Sequence, residues 1–167
     1  DDTTPQGKEL RLKQEYFFTA ASLADILRRF IAGGHDLHKL HEQVAVQLND
    51  THPAIAGPEL IRLLMDHHRF DFDEAFGIAT RCLNYTNHTL LPEALERWSV
   101  DLMTSALPRH MQIIEKIDKD HARKHKRPET IKIVDHGDVR MGDLAFICAH
   151  RVNGVSALHT DLMKKTV

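Results

Sequence analysis

The sequence predicts an α/β fold, rich in helix and carrying two or three short strands. Three observations predict it: a long apolar stripe at helical spacing near the start, two short apolar runs each followed by a polar loop, and helix-start signatures between those runs. At 167 residues the chain fits one domain, and its 42% hydrophobic content is enough to bury a core.

The elements follow in order. Leu12, Tyr16, Ala20, Leu23, Leu27 and Phe30 recur every three or four residues and predict a helix over Lys8 to Ile31. Phe17, Phe18, Ala21, Ala24 and Ile26 widen the stripe, so this helix should be covered on more than one side, and Gly33-Gly34 ends it. His35 to Gln43 is a polar stretch, and Val44 to Leu48 reads as a buried strand. After the loop Asn49 to Pro53, Gly57-Pro58-Glu59 opens a helix to about His67. Asp71 with Glu74 is a capping-box signature, with Phe70 placed to staple onto Ala75, for a helix to about Arg81. Cys82 to Thr86 is a second strand, and Asn87 to Leu91 a second polar loop. Pro92 to Trp98 is expected to begin a helical segment that breaks near Pro108 and runs to about Lys126. Ile131 to Val134 reads as a short strand or hairpin arm turning at His136-Gly137-Asp138. Met141 to His150 and Ser156 to Lys165 complete the helices, linked by Val152 to Val155. So few strands cannot readily close their own sheet, and the abrupt ends fit an internal piece of a longer chain.

Charge excludes some partners. With 22 basic and 24 acidic side chains and a net charge of -2, there is no footprint for nucleic acid or an anionic membrane. Cys82 and Cys148, far apart in apolar surroundings, read as reduced buried thiols, which implies a cytoplasmic setting. No apolar run is long enough to span a bilayer, and Asp1 to Gly7 resembles no signal peptide. Without an export signal, the sequons at Asn49, Asn84 and Asn87 read as chance.

Thirteen histidines raise the question of metal. His35, His38 and His41 recur every three residues in a loop with no known ligand pattern, and read as surface residues. Asp66-His67-His68 and Asp135-His136 have the residue types of metal phosphoesterases, so a metal-dependent phosphohydrolase is one rival reading; at Asp66 the competing account is a helix C-terminus, where His is favoured by the dipole. A non-catalytic helical interaction module is the other rival, on the broad stripe of the first helix. Neither a phosphate-binding Gly-rich loop nor a nucleophile elbow is present.

The loop Asn49-Asp50-Thr51-His52-Pro53 sets an amide, a carboxylate, a hydroxyl and an imidazole at the end of a strand, where open α/β sheets collect ligands. Donors and acceptors together suit sugar hydroxyls; the alternative is that Asp50 or Thr51 only caps the next helix. Tyr85-Thr86-Asn87-His88-Thr89 repeats the chemistry after the second strand, again with capping as the alternative.

At these loops the chain resembles the glycogen and maltodextrin phosphorylases, the α-glucan phosphorylase family. The blocks that carry the resemblance are Gly7 to Phe17 (GKELRLKQEYF), Gln47 to Pro53 (QLNDTHP), Tyr85 to Trp98 (YTNHTLLPEALERW), Leu107 to Ile114 (LPRHMQII) and His150 to Val155 (HRVNGV), in that order along nearly the whole chain. Ala149 stands where Ser is usual, Gly142-Asp143 replaces a more apolar pair, and Thr3 occupies a gate-loop position where Asn is common. The resemblance implies a partial Rossmann-like domain of a two-domain glycosyltransferase. Phosphate there cleaves a terminal α-1,4 bond to release glucose 1-phosphate, with pyridoxal 5′-phosphate as cofactor. It implies His150 facing the terminal glucose, Asp50 and His52 beside the anomeric carbon, Arg11 bracing them and Asp2 on the gate loop. The cofactor lysine of the family's C-terminal domain matches nothing here, so residues 1–167 are expected to bind no cofactor, to be inactive alone, and to self-associate through uncovered apolar surface.

Overall fold

The computed structural model describes residues 3–89, 95–124 and 131–166. Helix α1, Pro5–Ala32, is longer at both ends than its stripe predicts. Thr4 caps it, accepting from the Gly7 N–H at 3.0 Å, and Pro5 sits in the first turn, where no N–H is missed. Leu12, Leu23, Leu27 and Phe30 are buried, whereas Phe17 and Phe18 are 66% and 68% exposed, so the second face of the stripe is open among the described residues.

The polar stretch after α1 is not a plain loop. Asp36 accepts from the His38 N–H to start a 3-10 turn, Leu37–Lys39, and one buried residue, Leu40, anchors helix α2, Leu40–Gln43. Val44 is spent ending α2, so strand β1 spans Val46–Asn49 rather than starting at Val44. Helix α3, Ala56–Arg62, widens into a π-helical turn over Leu63–His67. Helix α4, Phe72–Cys82, has the predicted Asp71 cap, which accepts from the Glu74 N–H at 2.8 Å, and strand β2, Leu83–Asn87, follows directly.

The segment predicted as a helix start departs from expectation. Residues 90–94 lie outside the described residues, but Arg97–Ser99 form strand β3. Ser99 then caps helix α5, Val100–Ala106, and the predicted break gives way to helix α6 at Pro108–Lys124. Strands β4, Val134–Asp135, and β5, Asp138–Arg140, form a hairpin whose turn residues His136 and Gly137 have φ of 49° and 84°. Two positive φ values in a two-residue turn match the strand twist, the reason Gly is favoured there. Trp98 pairs with Val139, so β3 is a strand because a distant hairpin supplies its partner. Helix α7, Met141–Ile147, ends before His150, strand β6 is Arg151–Gly154 where a connector was expected, and helix α8 is Ala157–Thr166.

Strands β1, β2 and β6 form a parallel sheet in the order β1-β2-β6, and β3, β5 and β4 a small antiparallel one. Leu48, Leu83 and Tyr85 point into the core, while Gln47, Thr86 and Asn153 line the opposite face, where Gln47 Nε2 donates to Thr86 Oγ1 (2.8 Å) and Thr86 Oγ1 donates to Asn153 Oδ1 (3.1 Å). The helix-rich α/β expectation therefore holds.

Candidate functional site

The site is built at the carboxyl end of the parallel sheet. Asp50, the residue after β1, has φ of 69°, a region that Asp tolerates better than most residues. Its N–H donates to the Thr86 carbonyl at 3.0 Å, and its Oδ1 accepts from the Thr51 N–H at 2.7 Å. Thr51 is buried and its carbonyl accepts from the Ala54 N–H, folding the loop onto the start of α3. Neither Asp50 nor Thr51 caps α3, whose cap position is Ile55 with no side-chain bond, so the capping alternative fails for this loop.

Beside the loop lies a charged cluster. Arg11 and Glu15 stand one turn apart on α1, with Arg11 Nε 3.2 Å from Glu15 Oε1 and 4.0 Å from Oε2 of Glu96, which precedes β3. Burial, and then the negative Glu96, push Glu15 up to about 8 against the pull of Arg11. Burial raises Glu96 as well, with Glu15, His52 and Arg11 pulling it down and Asp50 pushing it up. These influences put Arg11, Asp50 and His52 within electrostatic reach of Glu96, and Arg11 and Glu96 within reach of Glu15. The Glu96 carbonyl accepts from the Met141 N–H at 3.1 Å, which fixes this segment to the start of α7. A Cβ on Gly142 would come within 3.8 Å of Thr51, so α7 begins against the same loop.

The structure thus brings Asp50, His52 and Arg11 together. Asp2 lies outside the described residues. His150 does not join them: its N–H donates to the Leu83 carbonyl at 2.7 Å, at the amino end of β2, while Asp50 bonds Thr86 near the carboxyl end. Those carbonyls are about 10 Å apart along the strand, and β1 and β6 flank β2 on opposite sides. The expected convergence of His150 with the two loops is therefore corrected. In a parallel sheet a crossover returns the chain to the amino end before the next strand, and α7 delivers His150 there.

The residue that does reach the Asp50 loop is His88, whose Nε2 hydrogen-bonds Asn49 Oδ1. Its signal was present in the second polar loop of the sequence. Neighbouring Asn87 is structural: its amide donates to the Tyr85 hydroxyl (2.8 Å), and its Oδ1 pairs with His159 Nε2 on α8 (2.8 Å). Glu15 and Glu96 were missed, because nothing local links two carboxylates on different elements. A cavity of about 70 Å³ lined by Tyr85, Thr89, Leu95 and Asp143 opens nearby. That volume suits about two waters, so the described residues form an open wall there rather than an enclosure.

The metal reading finds no geometry. Both Asp66 oxygens are taken by Arg109, at 2.7 and 3.0 Å, and a guanidinium there opposes a cation. Asp135 and His136 pair with each other on the β4–β5 hairpin, and no group of three or more potential ligands occurs among the described residues. Burial pushes the Cys82 thiol up to about 11 and that of Cys148 up to about 12, as for inert core thiols. No helix among the described residues is long and apolar enough to cross a membrane.

A family model described as carbohydrate phosphorylase matches residues 1–167. The chain is 44% identical to the glycogen phosphorylase of Chlamydia trachomatis, over 100% of this chain and 22% of that protein. It is 46% identical to the H isozyme of alpha-glucan phosphorylase from Solanum tuberosum, over 98% of this chain and 22% of the relative, and 44% identical to the muscle form of glycogen phosphorylase from Mus musculus, over 100% and 22%. The chain thus spans 22% of the length of these relatives.

Proposed function

The chain belongs to the carbohydrate phosphorylase family, and we propose that it supplies part of the sugar-facing wall of an α-1,4-glucan phosphorylase, an enzyme that uses phosphate to release glucose 1-phosphate from a glucan. The observation that carries this reading is the joining of Asp50, His52, Arg11 and His88 at the carboxyl end of a parallel sheet, where such folds take ligands. Asp50 accepts from sugar hydroxyls, and the imidazoles of His52 and His88 offer a donor or an acceptor. Arg11 balances the acidic groups behind them. Asp2 stays in the proposal as a gate-loop contact. His150 lies apart, and we do not assign it to this sugar wall.

Pyridoxal 5′-phosphate, which the resemblance implies, is held through a lysine amine. Every described lysine is exposed or half-exposed, and none is among the groups that bear on Glu15 and Glu96. These residues do not fit the cofactor, which in this proposal is held by other residues of the parent enzyme. A cytoplasmic setting is supported by the two buried free cysteines.

The test is a nuclear magnetic resonance titration of the chain with a maltooligosaccharide. Shifts confined to residues 49–52 and 88 are expected, and their absence at saturating sugar overturns the reading. With glucan and phosphate the chain alone should release no glucose 1-phosphate, because a binding wall orients a sugar without handling protons or phosphate.

A further inference from the structure

Glu15 and Glu96 flank the Arg11 guanidinium, with oxygens 3.2 and 4.0 Å from its Nε and side chains only 11% and 12% exposed. The charged groups that bear on the pair are Arg11 from α1, His52 from the loop after β1, and Asp50. Both Glu15 oxygens and Glu96 Oε1 are closed off from solvent and have no geometric hydrogen-bond partner among the described residues, although the Arg11 guanidinium stands 3.2 Å from Glu15. Two ionised carboxylates cannot bond each other, because neither has a donor, and their repulsion grows where water is excluded. One proton removes both difficulties: it supplies an O–H donor and leaves a single negative charge for Arg11 to match.

We infer that Glu15 and Glu96 share one proton, carried by Glu15, and that the pair is a positioning device whose single charge sets where Arg11 and His52 stand. Burial is the largest influence holding the proton on Glu15, and the charge of Glu96 adds to it. Loss of that proton puts a second negative charge under the loop, draws Arg11 and His52 inward and strains the contact between α1 and the segment before β3. The sharing rests on the geometry of the pair; its consequence for sugar rests on the function proposed above.

The experiment uses the chain without sugar, labelled with 13C-glutamate, and follows protonated-carboxyl infrared absorption from about pH 6 to about 10. The expected result is a band at neutral pH worth about one side chain, lost with a midpoint of about 8, absent in E15Q and moved to lower pH in E96Q. No band in the wild-type chain at neutral pH overturns the proposal, as does a band that persists unchanged in E15Q. The wild-type spectrum decides even if a variant fails to fold. A purely structural pair would leave the Arg11 Nε–H and His52 resonances indifferent to this midpoint. The proposal expects both to move with it in the wild type and to lose that dependence in E15Q; signals that ignore the midpoint overturn the positioning role. Because no sugar enters, failure here and failure of the sugar titration are separate results.

Discussion

His110 Nε2 of α6 lies 2.6 Å from Glu59 Oε2 of α3, both side chains being almost fully buried. Arg62 completes the group with bonds of 2.8 and 2.9 Å to the two Glu59 oxygens, and Tyr16 of α1 meets the His110 ring edge-on at 5.0 Å. One carboxylate thus pins two helices, with a third packed against the imidazole. Glu59→Ala should cost about 3–5 kcal/mol in urea unfolding, because it strands a buried imidazole and a partly buried guanidinium. A loss under 1 kcal/mol would mean that these helices are held by apolar packing alone.

Acid should weaken the same junction. Burial works to raise Glu59, but the bonds from Arg62 and then His110 outweigh it and hold the carboxyl below its ordinary 4.5. A depressed carboxyl contributes stability that is present above its unfolded value and lost as pH falls through the folded one. Unfolding free energy should therefore drop below about pH 4.5, and Glu59→Gln should flatten that limb. Equal acid slopes in the two proteins would assign the effect elsewhere.

Gly57 is fixed by contact rather than by conformation. A Cβ there would stand 2.7 Å from Cys148 Sγ and 2.9 Å from its Cβ, inside the core where α3 begins. Gly57→Ala should destabilise by about 1–3 kcal/mol despite the better helix propensity of alanine. Thermal unfolding at or above the wild-type midpoint would show that the residue at 148 gives way freely.

Asp50 has separable roles. Asp50→Asn keeps an acceptor for the Thr51 N–H and tolerates positive φ, so stability should stay within about 0.5 kcal/mol while maltooligosaccharide-induced shifts weaken. Asp50→Ala loses both features and should cost about 1–2 kcal/mol. Undiminished sugar shifts in the asparagine variant would remove the carboxylate from the binding wall.

The uncovered face of α1 can be read directly. Phe17 and Phe18, stacked edge to face 5.7 Å apart, are exposed, as is Leu10. The isolated chain should bind a dye for apolar surface and self-associate, and Phe17→Ser with Phe18→Ser should reduce both. A monodisperse monomer without dye binding in sedimentation and fluorescence would contradict this.

Local signals carried much of the architecture. The α1 stripe, the Asp71 cap, the break at Pro108 and the Gly137 turn each depend on residues a few positions apart, where spacing is sufficient information. The short strands fared unevenly for the same reason. Val46–Asn49 shows its β-branched start, whereas Arg97–Ser99 and Arg151–Gly154 are strands only because Val139 and β2 lie alongside them.

The sequence by itself determined the helix-rich α/β class, the two ligand-type loops and the resemblance to α-glucan phosphorylases, since each is written in contiguous residues. Tertiary structure alone decided that His88 rather than His150 reaches the loop after β1, at Asn49, and that Glu15 and Glu96 flank Arg11. The physical reason is that strand direction and helix crossovers choose which ends of distant segments meet, and charge matters only between groups so brought together.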